Sequence, residues 1–332
     1  VLVQQCLAAM QAHNPSLNAV VVDGSAQALA AAQQADAELA NRARGANSTN
    51  SPSAQPLGPL HGIPFTIKES FDVQGWPTTC GLPARAQHQA AQHSAVVQRL
   101  LSAGAIVLGK TNVPLHLRDW QSYNDVYGTT RNPHDLDKTP GGSSGGSAAA
   151  VSSGMSQFDI GSDIGSSIRN PAHFCGIFSH KASHGLISMA GHGIDSQEPL
   201  PAINCAGPLA RSAHDLEAVL HVLADLPGDA SRAGHLQLQP DTRTALSQYR
   251  IGIALDDAYC RIDEPIRAAI TALGQRLESL GVQVDWSARP AIDSRQLWRT
   301  YVLMLRAATS MHQPEAAIAQ MQQAPAALDP ST

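Results

Sequence analysis

Two blocks rich in glycine and serine lie between apolar segments in the middle of the chain, and they constrain its fold more than any other feature. They cover 139–147 and 161–171 and read TPGGSSGGS and GSDIGSSIRNP. A flexible linker has a similar composition, but here Ala148–Val151 and Phe158–Ile160 are apolar stretches that predict a helix and a strand. We therefore expect two tight turns inside a packed domain.

Turns of this kind bring backbone N–H groups close to a ligand. Glycine has no Cβ, so another backbone or a ligand can approach it closely. Each block also leads into the predicted start of a helix, where unpaired N–H groups favour an anion or a developing oxyanion. The two blocks alone support a catalytic site and a phosphate-binding cradle equally well.

The other apolar segments alternate between strand and helix patterns along the chain. Strands are predicted over Ala19–Val22, Pro64–Ile67, Ile106–Leu108, Arg250–Leu255 and Val282–Trp286. Helices are predicted over Leu2–Met10, Ser25–Arg44 and Asp263–Leu280, and further helices begin at Ser94 and Ser212. This alternation predicts one large α/β domain over residues 1–332. Its central sheet should be mixed and mainly parallel, with helices on both faces.

Local signals set several boundaries within this pattern. The first helix is expected to end before Pro15, because proline disfavours helix in the residue that precedes it. Residues 44–59 are rich in Ser, Asn, Gly and Pro and predict a surface loop. Ser212 is followed by Asp215 at the reciprocal capping position, which predicts a helix start.

Composition excludes several classes of function. The formal net charge is −5 and both signs are mixed, so there is no basic stripe for nucleic acid and no polybasic patch for a membrane. No apolar run approaches the roughly 20 residues of a membrane span, and nothing resembles a cleavable signal peptide. The five cysteines are widely spaced, which favours free thiols in a reducing compartment. We expect a cytoplasmic protein.

A lysine closes the apolar strand that precedes the two blocks. Lys68 follows Pro64–Ile67 directly. Loss of water around an ammonium group lowers its pKa, and the neutral amine can then act as a base. Taken by itself, a strand-end lysine that reaches solvent or pairs with Glu69 is the more ordinary interpretation.

Two other motifs fit the first block less well. Residues 142–146 match the nucleophile-elbow pattern Gly-x-Ser-x-Gly, with Ser144 as the nucleophile. That motif follows a strand directly, whereas 134–140 read as a polar turn. A Walker-type phosphate loop ends in Gly-Lys-Ser/Thr, and no such tripeptide follows Gly146.

The histidines raise the question of a metal site. His180 and His184 have the four-residue spacing of a helical ligand pair. No Glu follows His180 in the manner of a zinc protease, and Gly185 interrupts any helix there. We expect no metal ion, and we interpret these histidines as ordinary core or surface residues.

Taken together, the lysine segment and the two blocks resemble the amidase signature family. The family hallmark is a Gly-Gly-Ser-Ser-Gly-Gly-Ser block followed by Gly-Ser/Thr-Asp-x-Gly-Gly-Ser-Ile-Arg, with a lysine upstream in Gly-Ile-Pro-x-x-x-Lys. The family's base, bridging serine and attacking serine match Lys68, Ser143 and Ser167. Flanking matches lie at 109–112, 128–133, 174–176 and 207–212. The resemblance is dense over residues 1–255 and looser beyond them.

The resemblance implies a hydrolase that cleaves an amide or ester through an acyl-enzyme. Ser167 would attack the carbonyl carbon and Lys68 would be the general base. Ser143 would relay protons between them and pass one to the leaving amine. The family holds this serine through a cis peptide bond, which would here join Gly142 to Ser143.

The resemblance also implies how the second block stabilises the transition state. The oxyanion hole would consist of the backbone N–H groups of Ile164, Gly165, Ser166 and Ser167. The supporting residues would be Ser144, Asp163 and Arg169. Ser166 stands where the family commonly has glycine, so a positive φ at this residue would strain the turn.

The implied partner is a small to medium amide of the aryl, aliphatic or peptide C-terminal class, and no cofactor is implied. No nucleic-acid or membrane partner is expected, and a homodimer is left open. Family members usually continue well past residue 332, and the later segment walls the acyl pocket. An inert truncated amidase-like protein, or an amidotransferase subunit that needs a partner, is therefore the alternative. Leu115–Asn124 resembles stand-alone bacterial amidases more than that subunit.

Overall fold

A computed structural model of the chain describes residues 1–45, 57–194, 203–224 and 241–310, together with residues 316 and 319. The chain divides into two compact units, Val1–Leu238 and Gln239–Thr332. Most of the surface loop predicted over 44–59 lies outside the described residues. Among the described residues, the structure contains no helix with the length and apolar character that a membrane crossing requires.

The first unit alternates helices and strands, as the sequence pattern predicts. Its helices are α1 (Leu2–Leu17), α2 (Ser25–Gly45), α3 (Ala95–Ser102), α4 (Gly145–Ser152), α5 (Arg169–Cys175) and α6 (Ala213–Ala224). Its strands are β1 (Val20–Asp23), β2 (Pro64–Lys68), β3 (Ile106–Thr111), β4 (Tyr123–Asn124), β5 (Gly128–Thr129), β6 (Phe158–Asp163), β7 (Phe178–Ser179) and β8 (Cys205–Ala210).

Six of these strands form one mixed sheet in the order β1-β3-β2-β6-β8-β7. Strands β3, β2 and β6 are parallel to one another, and β1 and β8 pair with them antiparallel. Strand β7 is antiparallel to β8 and so runs in the direction of β6. Four strands therefore share one direction, and the predicted α/β fold is confirmed.

Helices cover both faces of this sheet because side chains alternate along its central strands. Phe65 and Ile67 of β2 pack in one core cluster with Val97 and Leu100 of α3 and with residues of α6. The second cluster joins Leu108 of β3 to residues of α1, α2 and α4. Strands β2 and β6 therefore lie in the middle of the sheet with both faces buried.

The predicted end of α1 before Pro15 is wrong. The helix continues through Pro15 to Leu17, and Asn18 closes it in the left-handed conformation. Proline fixes φ near −65°, which is a helical value, and near a helix end it removes only one hydrogen bond. The Asn18 N–H donates to the Asn14 carbonyl at 2.8 Å. The Asn14 side chain accepts from the N–H groups of Ala19 and Val20, both at 2.9 Å, and so fixes the exit of the chain.

The second unit contains the predicted β-α-β arrangement. Strands β9 (Arg250–Gly252) and β10 (Gln283–Asp285) pair in parallel, and α7 (Glu264–Ser279) connects them. A further helix, α8, covers Ser294–Ser310. That all 332 residues form one domain stays a prediction.

Candidate active site

Lys68 lies at the carboxyl end of β2 and is fully buried. Its Nζ atom is 2.7 Å from Ser143 Oγ, 3.0 Å from Ser162 Oγ and 3.3 Å from the Ser162 carbonyl oxygen. Each N–H of the ammonium form therefore has an acceptor. The Glu69 carboxylate does not pair with Lys68; it accepts hydrogen bonds from the backbone N–H groups of Thr79 and Cys80. The ordinary interpretation, a lysine that reaches solvent or pairs with Glu69, does not describe this side chain.

Burial dominates the electrostatics of Lys68. Loss of water lowers the pKa of its ammonium group to about 7, and the nearby Asp163 carboxylate opposes this shift. Near neutral pH a substantial fraction of Lys68 is therefore the neutral amine. A neutral amine in hydrogen-bonding contact with a serine hydroxyl can accept its proton.

The first glycine- and serine-rich turn brings Ser143 to Lys68. The Gly142–Ser143 peptide bond is cis. A Cβ on Gly142 would lie 2.7 Å from the carbonyl oxygens of Asp119 and Gln121, so only glycine fits there. Ser144, the N-cap of α4, is fully buried, and no strand directly precedes it in the described residues. The nucleophile-elbow alternative therefore lacks its structural context.

The second turn is held by the carboxylate of Asp163 at the end of β6. Asp163 accepts from the N–H groups of Ser166 (2.9 Å) and Ile168 (3.0 Å), and Arg169 donates to both carboxylate oxygens at 2.9 and 3.1 Å. Burial alone would raise the pKa of Asp163, but the hydrogen bonds from Arg169 and Ile168 outweigh it and hold the pKa below its usual range. Asp163 and Arg169 thus stabilise the turn that carries Ser167.

One of the backbone N–H groups assigned to the predicted oxyanion hole, that of Ser166, is already hydrogen-bonded within this turn. Ser166 has φ = +75°, the left-handed conformation that glycine adopts most easily. Its N–H already donates to Asp163, so the prediction that Ser166 serves an oxyanion disagrees with this hydrogen bond. No acceptor within the described residues receives the N–H groups of Ile164, Gly165 or Ser167. Trp120 fixes the same turn, because its indole N–H donates to the Gly165 carbonyl at 2.7 Å.

Ser167 lies just before α5 and is almost completely buried. Its carbonyl oxygen accepts the N–H of Ser144 at 3.1 Å, which joins the two turns directly. No hydrogen bond links the hydroxyl groups of Ser143 and Ser167 in the described part of the chain. The structure therefore brings Lys68 and Ser143 together through their side chains, and Ser167 to the first turn through the backbone.

Sequence reasoning did not single out Ser162 and His192. His192 Nε2 is 2.9 Å from Ser162 Oγ and 3.0 Å from Ser70 Oγ. The imidazole is buried, and burial, reinforced by the charge of Lys68, lowers its pKa to about 3, so it is neutral. Ser162 belongs to the second block, but no spacing or pattern pointed to His192, which approaches from a separate loop.

A second buried polar cluster lies beside Lys68. Thr66 and Thr111 donate to Asp159 Oδ2 at 2.7 and 3.1 Å, and Asp159 Oδ1 has no hydrogen-bond partner. Burial raises the pKa of Asp159 to about 7. The register that pairs Thr66 with Asp159 on adjacent strands could have indicated this contact if the strand order had been known.

The described residues contain no group of three His, Cys, Asp or Glu side chains that could hold a metal ion. His180 and His184 lie in a segment without helical structure, so the four-residue spacing does not place them on one helix face. The His180 N–H instead donates to the Pro208 carbonyl, beside the sheet, at 3.0 Å.

Comparison with known proteins agrees with this fold. The family model described as Amidase matches residues 1–327. This chain belongs to the amidase signature family.

Individual relatives differ in what they do. The chain is 36% identical over 295 residues to the indoleacetamide hydrolase of Bradyrhizobium diazoefficiens, covering 88% of this chain and 53% of that protein. It is 34% identical over 296 residues to a glutamyl-tRNA(Gln) amidotransferase subunit of Legionella pneumophila, covering 87% and 57%. The structure of a bacterial aryl acylamidase of the amidase signature family matches with a TM-score of 0.74 at 26% identity, covering 97% and 63%. The chain thus spans about half the length of the curated relatives it matches.

Proposed function

We propose that this chain hydrolyses amides through an acyl-enzyme, with Ser167 as nucleophile, Ser143 as proton relay and Lys68 as general base. The observation that carries the proposal is the 2.7 Å hydrogen bond between the buried Lys68 amine and the Ser143 hydroxyl. A lysine with a lowered pKa beside a serine, next to a second turn that presents another serine, is the arrangement that activated-nucleophile chemistry requires.

In the proposed reaction, the neutral Lys68 amine accepts the Ser143 proton while Ser143 accepts the proton of Ser167. The Ser167 oxygen attacks the amide carbonyl carbon, and the negative charge moves to the carbonyl oxygen. The N–H groups of Ile164, Gly165 and Ser167 are the donors we assign to this oxygen. The proton returns through Ser143 to the leaving nitrogen as the C–N bond breaks. Water then attacks the acyl-enzyme by the same route and releases the acid.

The proposed substrate is a small to medium amide that releases ammonia or an amine. Two relatives act, by their names, on indoleacetamide and on aryl acylamides, which supports an aromatic amide. Trp120 is about 60% exposed beside Gly165, which would offer an apolar surface near the reacting carbonyl. We further propose that residues 1–332 act as one amidase domain in the cytoplasm, where the free cysteines of the described chain would stay reduced.

A fluorophosphonate probe tests the nucleophile without knowledge of the substrate. Intact-mass spectrometry should show one adduct on the wild-type chain and none on Ser167→Ala. Ser166→Ala is the matched control, because it removes the adjacent hydroxyl and should still be labelled. A folded wild-type chain that acquires no adduct, or an adduct that persists in Ser167→Ala, would refute the assignment.

The relationship to an amidotransferase subunit supports a second candidate, a chain that needs a partner for activity. Ammonia release from indoleacetamide or benzamide by the purified chain separates the two. Release by the chain alone favours the free enzyme. Labelling of Ser167 without turnover of any simple amide favours the partner-dependent chain.

A further inference from the structure

Four side chains form a continuous line of contacts that ends at the lysine. Ser70 Oγ is 3.0 Å from His192 Nε2, His192 Nε2 is 2.9 Å from Ser162 Oγ, and Ser162 Oγ is 3.0 Å from Lys68 Nζ. All four are buried. The imidazole packs edge-on against Phe71, with ring centroids 4.6 Å apart, so its position is fixed by the core. The role of His192 therefore depends on which of these groups donates and which accepts in each hydrogen bond.

The ammonium form of Lys68 has three N–H groups and three neighbouring oxygens, Ser143 Oγ, Ser162 Oγ and the Ser162 carbonyl. In this form Ser162 Oγ accepts from Lys68, so its own proton must go to another acceptor. Within the described residues, its other side-chain contact is His192 Nε2. A buried hydroxyl proton without an acceptor costs free energy, which favours donation from Ser162 to His192.

The tautomer of His192 follows from the same count. If Nε2 carried the proton, both the Ser162 hydroxyl proton and the buried Nδ1 atom would lack partners. If Nδ1 carries the proton, Nε2 accepts from Ser162, and within the described residues the Nδ1–H group and the Ser70 hydroxyl proton lack an acceptor of their own. The Ser70 proton lacks an acceptor in the first arrangement as well, because Nε2 is the only contact of Ser70 Oγ in the described part of the chain and would itself be a donor. The second arrangement leaves fewer unsatisfied polar groups and is favoured.

We propose that His192 is a positioning residue for the general base: as the neutral Nδ1–H tautomer it accepts the Ser162 hydroxyl proton and thereby makes Ser162 an acceptor for Lys68. This inference rests on the proposed function. The neutral Lys68 amine has two N–H groups and one lone pair. Ser162 Oγ and the Ser162 carbonyl oxygen accept hydrogen bonds from the two N–H groups. The lone pair of Lys68 then remains free to accept the proton of Ser143.

Loss of the His192 acceptor would free the Ser162 hydroxyl to donate to the Lys68 lone pair. It would then compete with Ser143 for that lone pair and would stabilise the neutral amine. Both effects have a definite direction: proton transfer becomes slower, and the pKa of Lys68 falls further. The other titratable groups whose charge acts on Lys68 are Asp163, Asp159 and Cys80. The side-chain hydrogen bonds of His192 in the described residues go to Ser70 and Ser162 and to none of these three groups.

The first experiment measures hydrogen bonding and proton affinity directly. The sequence contains four lysines, so selective ¹³C labelling gives a small set of side-chain signals, and Lys68→Met identifies the one from Lys68. His192→Phe keeps a ring against Phe71 but removes the acceptor, and it should shift the Lys68 titration to lower pH. His192→Gln places an amide oxygen near the position of Nε2 and should restore the titration towards the wild-type pH.

The second experiment measures the rate of Ser167 labelling by the fluorophosphonate probe as a function of pH. His192→Phe should lower the plateau rate by about 10- to 100-fold, which is part of the 10²–10⁴ that a general base contributes. The acid limb of the profile should shift to lower pH. His192→Gln should recover most of the rate. His61→Phe is the matched control: His61 hydrogen-bonds to the Ala35 carbonyl beyond the amino end of β2, and its loss should leave rate and profile unchanged.

A double-mutant cycle with Ser162→Ala tests whether His192 acts through Ser162. The two changes should be strongly non-additive, because either one removes the same oriented acceptor. Additive losses with an unmoved Lys68 titration would overturn the proposal and leave a structural role for His192. A protonated Nε2 in the ¹⁵N spectrum of the wild-type chain would overturn it without any variant. A wild-type chain that is never labelled at Ser167 would refute the proposed function instead, and the ¹³C and ¹⁵N measurements would still decide the hydrogen-bond arrangement.

Discussion

At the scale of single residues, the protonation state of Lys68 controls the proposed chemistry. Its pKa is lowered to about 7 by burial, and only the neutral form can act as a base. The rate constant kcat/KM should therefore rise with pH through about 7 and level off above it. A pH series of kcat/KM, or of the rate of Ser167 labelling, measures this rise. A rate that is flat between pH 5 and 9 would argue against Lys68 as the base.

Ser166 carries a side chain in a backbone conformation that favours glycine. Its φ of +75° suits glycine, and the handedness of amino acids makes this region costly for a residue with a Cβ. We expect Ser166→Gly to stabilise the native state by up to about 1 kcal/mol, because the strain is relieved, and to keep Ser167 reactive. Urea unfolding measures the free-energy change. Clear destabilisation would mean that the serine side chain makes a contribution larger than the strain it causes.

At the scale of secondary-structure elements, the start of α6 depends on a local cap that the sequence predicted. The Asp215 N–H donates to Ser212 Oγ at 3.1 Å, and the Ser212 hydroxyl donates to the Asp215 carboxylate at 2.7 Å. Removal of such a cap typically costs about 1 kcal/mol. Ser212→Ala should therefore lower the free energy of unfolding by about that amount and leave Ser167 labelling unchanged. Ser212→Asp, which preserves an acceptor, should recover most of the stability.

At the scale of the whole molecule, the buried lysine should lower global stability. Its pKa falls from about 10.5 in the unfolded chain to about 7 in the folded one, so the unfolded state holds more protons between these values. The cost is fully present below pH 7 and disappears as the pH rises through 10.5. Lys68→Met should therefore be inactive yet more stable than the wild type. The difference should be largest at pH 6 and shrink towards pH 10.

Urea unfolding of both proteins at pH 6, 8 and 9.5 measures this difference. Asp159 remains in both chains, and its own raised pKa cancels in the comparison to first order. A Lys68→Met chain that is less stable at pH 6 would show that the three hydrogen bonds of Lys68 outweigh its burial.

Much of the fold could be predicted from local pattern. The strand at Pro64–Ile67, the helix that begins at Ser94 and the β-α-β arrangement after Arg250 all agree with the structure, because apolar periodicity and capping residues act over a few residues. The end of α1 could not be predicted from Pro15 alone. There the hydrogen bonds of Asn14 to residues beyond the helix stabilise a longer helix than proline would suggest.

The sequence by itself determined the elements of this protein, the two turns between them and the side chains that the turns carry, since these depend on neighbouring residues. Only the tertiary structure decided the protonation states and the hydrogen-bond partners of those side chains. Packing on both faces of the sheet removes water from Lys68 and lowers its pKa, and Asp163 takes the N–H of Ser166. His192 reaches Ser162 from a loop 30 residues away. Burial and contacts between distant segments arise only when the chain is folded, so no local pattern encodes them.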